Sequence, residues 1–156
     1  MARALIVGCG CRGRELGEAL LAAGWAVQGT SREEARFGAI EAAGIEPALA
    51  DPGRPGTVLE LVNDVAVLVL LFGSLTGSEE ELAALQGSRL ERLMERLVET
   101  PVRGVLYEGG GAGEEIVRVA SRTWRIPVTI VDREGSDPRE MANLALELIS
   151  PAGRPK

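Results

Sequence analysis

A chain of 156 residues, 46% of them hydrophobic, has the size of one domain and enough apolar material for a full core. It has no histidine and its single lysine is the terminal Lys156, which excludes Ser/His/Asp and Cys/His nucleophiles, histidine-containing zinc sites, Schiff-base lysines and lysine-based phosphate loops. With 17 basic against 23 acidic residues the net charge is -6, which argues against a general binder of nucleic acid or anionic membranes and for a small-molecule ligand.

The first apolar run, Ala4 to Val7, is short, continuous and closed by glycine, and predicts a strand over 3–7 buried on both faces. It is too short for a signal peptide, and no run approaches the roughly 20 residues a membrane span needs, so a soluble, cytoplasmic protein is expected. Leu16, Ala19, Leu20 and Ala23 recur at helical spacing between Gly13 and the stop at Gly24. Residues 26–30 predict the second strand, and Ser31 is placed to cap a helix running to Ala43 with Glu33 and Glu34 in its first turn. A weaker strand over 45–49 follows, then an Asp51-Pro52-Gly53 turn and a short helix over 55–61.

Residues 65–72 form the strongest strand, apolar on both faces and therefore expected at the centre of a sheet. Ser78 with Glu81, and Ser88 with Glu91, match capping boxes that start two helical pieces, the second carrying Leu90, Leu93, Met94, Leu97 and Val98 on one stripe before Pro101. Then come a strand over 102–107, a helix over 112–124 and a strand over 127–131. In the last helix Asp137 is the N-cap, Pro138 stands at N1 and Glu140 at N3, and Met141, Leu144, Ala145, Leu148 and Ile149 form the inner face. Strands alternating with helices and no hairpin signal imply right-handed crossovers. The fold class is therefore α/β, a doubly wound parallel sheet of about six strands in the order 3-2-1-4-5-6, with one domain over 1–150 and a disordered tail over 151–156.

Gly8-Cys9-Gly10-Cys11-Arg12-Gly13 is a G-x-G-x-x-G between the first strand and the first helix, the context in which this pattern carries meaning. Gly8 allows the tight turn, Gly10 lets a pyrophosphate approach the backbone, and Gly13 lets helix and sheet pack closely. The helix N-terminus adds free amides and partial positive charge for phosphates. A tight βα turn that binds nothing would use the same glycines, and flavin or methyl-donor sites use similar loops. An NAD site places an acid roughly 20 residues past the loop, but the chain reads Gly29-Thr30-Ser31-Arg32 there. A hydroxyl followed by Arg32 suits a 2′-phosphate, with Arg12 able to join, so NADP is favoured over NAD. The alternative is that Arg32 simply opens a solvated helix beside Glu33 and Glu34. Cys9 and Cys11 are too close for an ordinary disulfide and too few for zinc, so no metal site is expected. They read as small residues filling a crowded turn, with a redox switch at the loop as the sharper alternative.

Taken together, the segments Ala4–Gly13, Glu18–Gly24 and Val27–Arg32 resemble the opening βαβ of the NAD(P)-binding short-chain dehydrogenase/reductase superfamily, in the extended and atypical branch that includes the NAD-dependent epimerase/dehydratases. The stretches at 43–51, 65–72, 104–109 and 125–131 extend the resemblance across nearly the whole length. It implies an acidic residue near the adenine at Asp51, and Phe72 and Gly73 towards the nicotinamide. The catalytic Tyr-x-x-x-Lys pair of that family is missing, since Tyr107 is followed four residues later by Gly111 and no internal lysine exists. Tyr107 and Glu108 are the remaining candidates for proton transfer, and an unshifted tyrosine near pKa 10 is a poor base at neutral pH. The glycine-rich run Gly109–Gly113 and the loop with Ser74 and Thr76 sit at the edge where such sheets bind ligands, or are plain linkers. Two functions follow as expectations. One is an NADP(H)-binding protein with reductase or epimerase-like chemistry on a small-molecule substrate. The other is a non-catalytic nucleotide-binding sensor that reports to a partner or to a homo-oligomer, with the amphipathic stretch Ser88–Thr100 as a candidate interface helix.

Overall fold

The computed structural model describes residues 2–74, 77–132 and 137–149. The expected tail at 151–156 and the loop residue Thr76 lie outside the described residues. Six strands, β1 (Arg3–Val7), β2 (Ala26–Ser31), β3 (Glu46–Leu49), β4 (Val67–Leu71), β5 (Gly104–Glu108) and β6 (Val128–Val131), form one all-parallel sheet in the order β3-β2-β1-β4-β5-β6. The helices are α1 (Cys11–Ala22), α2 (Phe37–Ala42), α3 (Pro55–Leu59), α4 (Glu79–Ala84), α5 (Leu90–Arg96), α6 (Gly111–Trp124) and α7 (Pro138–Glu147).

The strand period of two sorts the core into two layers. Leu5, Val7, Leu68, Leu70, Val105 and Tyr107 face α3, α5 and α6, while Ala4, Ile6, Val67, Val69, Leu71 and Leu106 face α1, α2 and α7. Every residue of β4 and β5 is buried, as a central strand covered on both faces requires. At roughly 1.5–3 kcal/mol for each fully buried large aliphatic side chain, these two layers supply most of the stabilisation that offsets chain entropy. The sheet also reverses direction of winding between β1 and β4, so their carboxyl ends diverge into the crevice where open α/β sheets take ligands.

Three local expectations are corrected. Ser31 does not cap a helix: it is the last residue of β2, and its Oγ accepts only the amide of Glu33 at 3.1 Å. The chain then makes a 3₁₀ turn over Glu34–Arg36 before α2 begins. The Ser88/Glu91 capping box does not form either. The chain runs from α4 through a π turn, Leu85–Arg89, into α5. Non-helical Gly87 absorbs the distortion, and the wider turn keeps both Leu85 and Leu90 facing the core, which an unbroken α-helix would not do for residues five apart. Ser78, by contrast, accepts the Glu81 amide at 3.1 Å as expected, and Asp137 caps α7 through the amide of Arg139. Finally, α1 starts at Cys11 rather than Gly13, so the glycine loop is shorter and its last three residues are already helical.

Candidate nucleotide-binding cleft

The loop after β1 is folded by its glycines and by one threonine. Gly8 sits at φ 86°, in the left-handed region that glycine adopts without cost. Thr30, almost fully buried at the end of β2, holds the loop from below: its carbonyl accepts the Cys9 amide at 3.0 Å and its Oγ1 accepts the Gly8 amide at 3.3 Å. The other two motif glycines do different work. A Cβ on Gly13 would stand 3.2 Å from both Ile6 and Leu71, so this glycine lets α1 press against the sheet. A Cβ on Gly10 would meet nothing within 4 Å, so the backbone there faces open space.

Gly10 is the N-cap of α1, no side chain caps that helix, and no acidic residue stands in its first turn. Its leading amides are therefore available to an anion, reinforced by the helix dipole. From this loop a cleft of about 210 Å³ opens towards the end of β2, bounded by Gly8, Cys9 and Gly10 on one side and by Ser31, Arg32, Glu33 and Arg36 on the other. Ala50 and Pro52 close its far end. A second cavity of about 350 Å³ shares Arg32 and Pro52 with it and is lined by Asp51, Arg54, Arg89 and the acidic start of α4. Asp51 uses one carboxylate oxygen to hold its own turn, accepting the Gly53 amide at 2.8 Å.

Of the residues singled out in the sequence, Gly8, Gly10, Ser31 and Arg32 meet in the first cleft and Asp51 stands in the second. Arg36 was not anticipated. It follows Arg32 by four residues, a spacing that would have placed the two together on a helix, and the 3₁₀ turn over Glu34–Arg36 brings both to the same cleft. Among the described residues its side chain makes only an exposed, 3.4 Å contact with Glu33. Cys11 is exposed at the first position of α1, and Phe72 and Gly73 lie in the turn after β4.

Arg12 does not line the cleft. Its guanidinium reaches across the carboxyl end of the sheet to Glu108, with Nε 2.7 Å and a terminal nitrogen 2.6 Å from the same carboxylate oxygen, and contacts the Met141 sulfur at 3.3 Å. Glu108 is completely buried, so this pair ties α1, β5 and α7 together. Tyr107 is also completely buried, edge-on to Phe72 with ring centroids 5.7 Å apart. Its hydroxyl has no hydrogen-bond partner among the described residues and lies beneath α6, where a Cβ on Gly113 would approach it to 2.1 Å. Burial, with a smaller contribution from Glu114, pushes the Tyr107 phenol up to about 12. Cys9 is buried against Gly29, and burial raises its thiol to about 11, only partly opposed by Arg14. Both cysteines are free.

No family model and no curated protein matches this chain in sequence. Solved structures do match in fold. UDP-glucuronic acid 4-epimerase from Bacillus cereus, in complex with NAD, superposes with a TM-score of 0.66 at 16% identity over 83% of this chain and 55% of that one. Triphenylmethane reductase from Citrobacter sp., complexed with NADP(H), gives 0.62 at 19% identity over 83% and 48%. A proposed short-chain dehydrogenase/reductase from Corynebacterium glutamicum gives 0.64 at 21% identity over 94% and 92%. The chain thus spans about half the length of the epimerase and the triphenylmethane reductase. What fold and loop define together is a Rossmann-type fold, shared with the NAD-complexed epimerase and the NADP(H)-complexed reductase. No described helix is long and apolar enough to cross a membrane.

Proposed function

We propose that this protein binds NADP(H), with the pyrophosphate on the amides that open α1 and the 2′-phosphate against Ser31, Arg32 and Arg36. The observation that carries the reading is the cleft itself, which runs from the open backbone at Gly10 to two arginines at the end of β2 where an NAD site would present an acid. Guanidinium forks suit a dianionic phosphate, and each charge-assisted hydrogen bond contributes about 1.5–3 kcal/mol. Asp51, in the adjoining cavity, is the residue nearest an adenine in this arrangement. Calorimetric titration of the apo protein with NADPH and NADH at matched ionic strength tests the reading. Micromolar NADPH binding with NADH weaker by tenfold or more supports it, and equal affinities or no binding refute it.

The same site favours the non-catalytic alternative over hydride transfer. Tyr107 is sealed under α6 and stays protonated through the neutral range, Glu108 is held by Arg12, and there is no internal lysine and no histidine to replace them. A nucleotide-binding protein that responds to cofactor state fits these residues better than an oxidoreductase or epimerase. Incubation with NADPH and a panel of carbonyl substrates should leave absorbance at the reduced-nicotinamide band unchanged, and turnover abolished by Tyr107→Phe would overturn this choice.

A further inference from the structure

A third concavity lies at the opposite end of the strands, where β5 and β6 begin. It has a volume of about 440 Å³, within the roughly 300–1,000 Å³ range of small-molecule sites, and no carboxylate lines it. Its floor is apolar, with Leu97, Val102 and Ile126, and its rim carries Trp124 at 43% exposure together with Arg103 and Arg125. Neither Arg103 nor Arg125 joins any ion pair or side-chain hydrogen bond among the described residues, so both guanidinium groups are open to a ligand anion.

The backbone adds an independent observation. Arg125 is the one non-glycine residue at positive φ among the described residues, with φ 56° and ψ 41° at the C-cap of α6. Glycine is the usual occupant of a left-handed helix end, and a residue with a Cβ there is strained. The turn is held in place by the Ser121 hydroxyl, which donates to the Ile126 carbonyl at 2.7 Å. Arg125 and the exposed Trp124 thus line the same apolar groove.

We infer that this groove is a second small-molecule site, distinct from the nucleotide cleft, that takes a flat apolar carboxylate: the ring lies against Trp124 and the apolar floor, and the carboxylate is held by Arg103 and Arg125. Guanidinium and carboxylate are complementary in charge and in planar geometry, and an aromatic face suits a planar ligand body. The inference does not depend on the identity of the nucleotide, because the two sites stand at opposite ends of the strands.

The test uses the full chain, isotopically labelled, with benzoate as probe and benzamide as its neutral counterpart, read by two-dimensional NMR. Benzoate should give saturable millimolar-range shifts at the Trp124 indole N–H and at the Nε–H groups of Arg103 and Arg125, with the Trp25 indole as an unmoved internal control. Benzamide should bind at least tenfold more weakly. Arg125→Gly is the informative variant, since glycine relaxes the backbone: it should melt no lower than the parent and yet bind benzoate at least tenfold more weakly. Four outcomes overturn the assignment: no saturable shifts, equal shifts with benzamide, undiminished binding by Arg125→Gly, or shifts confined to the cleft around Arg32. Concentration-dependent broadening of the same signals without benzoate would assign the groove to a second copy of the chain and likewise overturn it.

Discussion

Tyr107 and Glu108 are adjacent in sequence and occupy opposite faces of one strand, and each is held for structure. Glu108 is wholly buried and depends on Arg12, so Arg12→Ala strands a carboxylate without its partner and should cost about 3 kcal/mol, in the range for breaking one half of a buried pair. Replacing both residues by apolar ones of similar size, as in Arg12→Met with Glu108→Leu, should recover most of that loss in chemical denaturation. A double variant as unstable as Arg12→Ala would contradict this account. Tyr107 and Cys9 both make the stability of the fold fall at alkaline pH. Their folded pKa values, about 12 and about 11, stand above the ordinary 10.0 and 9.0, so the unfolded chain releases these protons first. Their stabilisation is complete below pH 9 and is lost as pH rises from 9 towards 12. Thermal midpoints should therefore fall over that window, and Tyr107→Phe should flatten the part above pH 10 while leaving nucleotide affinity unchanged. Loss of affinity in Tyr107→Phe would return the phenol to the binding site.

At the scale of elements, close approach decides where helices sit on the sheet. A Cβ at Gly113 would lie 2.1 Å from the Tyr107 hydroxyl, so Gly113→Ala should destabilise by about 2–3 kcal/mol, as overpacking does, and adding Tyr107→Phe should restore much of it by removing that oxygen. Differential scanning calorimetry of the single and double variants checks this, and no rescue would place the conflict elsewhere along α6. The roles of Gly8, Gly10 and Gly13 were legible in the sequence because each has a local cause: a left-handed turn, an open backbone and a helix pressed on the sheet. Local signals also misled. Ser31 carries a capping side chain but is paired with β3 through Leu49, and Ser88 lies in a π turn that exists to bury Leu85 and Leu90 together. The Arg12–Glu108 pair spans 96 residues and no sequence pattern announces it. Arg36 follows Arg32 at a spacing that a helix would also have put on one face, so it was within reach of the sequence and was overlooked.

On the scale of the whole molecule, uninterrupted strand–helix alternation made the six-strand order readable in advance, because right-handed crossovers leave few ways to wind such a chain. The candidate cleft opens at the carboxyl ends of β1 and β2, on one side of the point where the winding reverses. In the proposed complex this end of the sheet distinguishes a 2′-phosphate through Arg32 and Arg36. The most direct measurement is the ratio of NADPH to NADH dissociation constants for the parent and for the double variant Arg32→Ala/Arg36→Ala, by calorimetry at one ionic strength. The account predicts a preference for NADPH of at least tenfold in the parent that collapses to about one in the variant, with NADH affinity nearly unchanged, since about 1.4 kcal/mol separates each tenfold step. A preference that survives both substitutions, or an equal loss for both nucleotides, would contradict it.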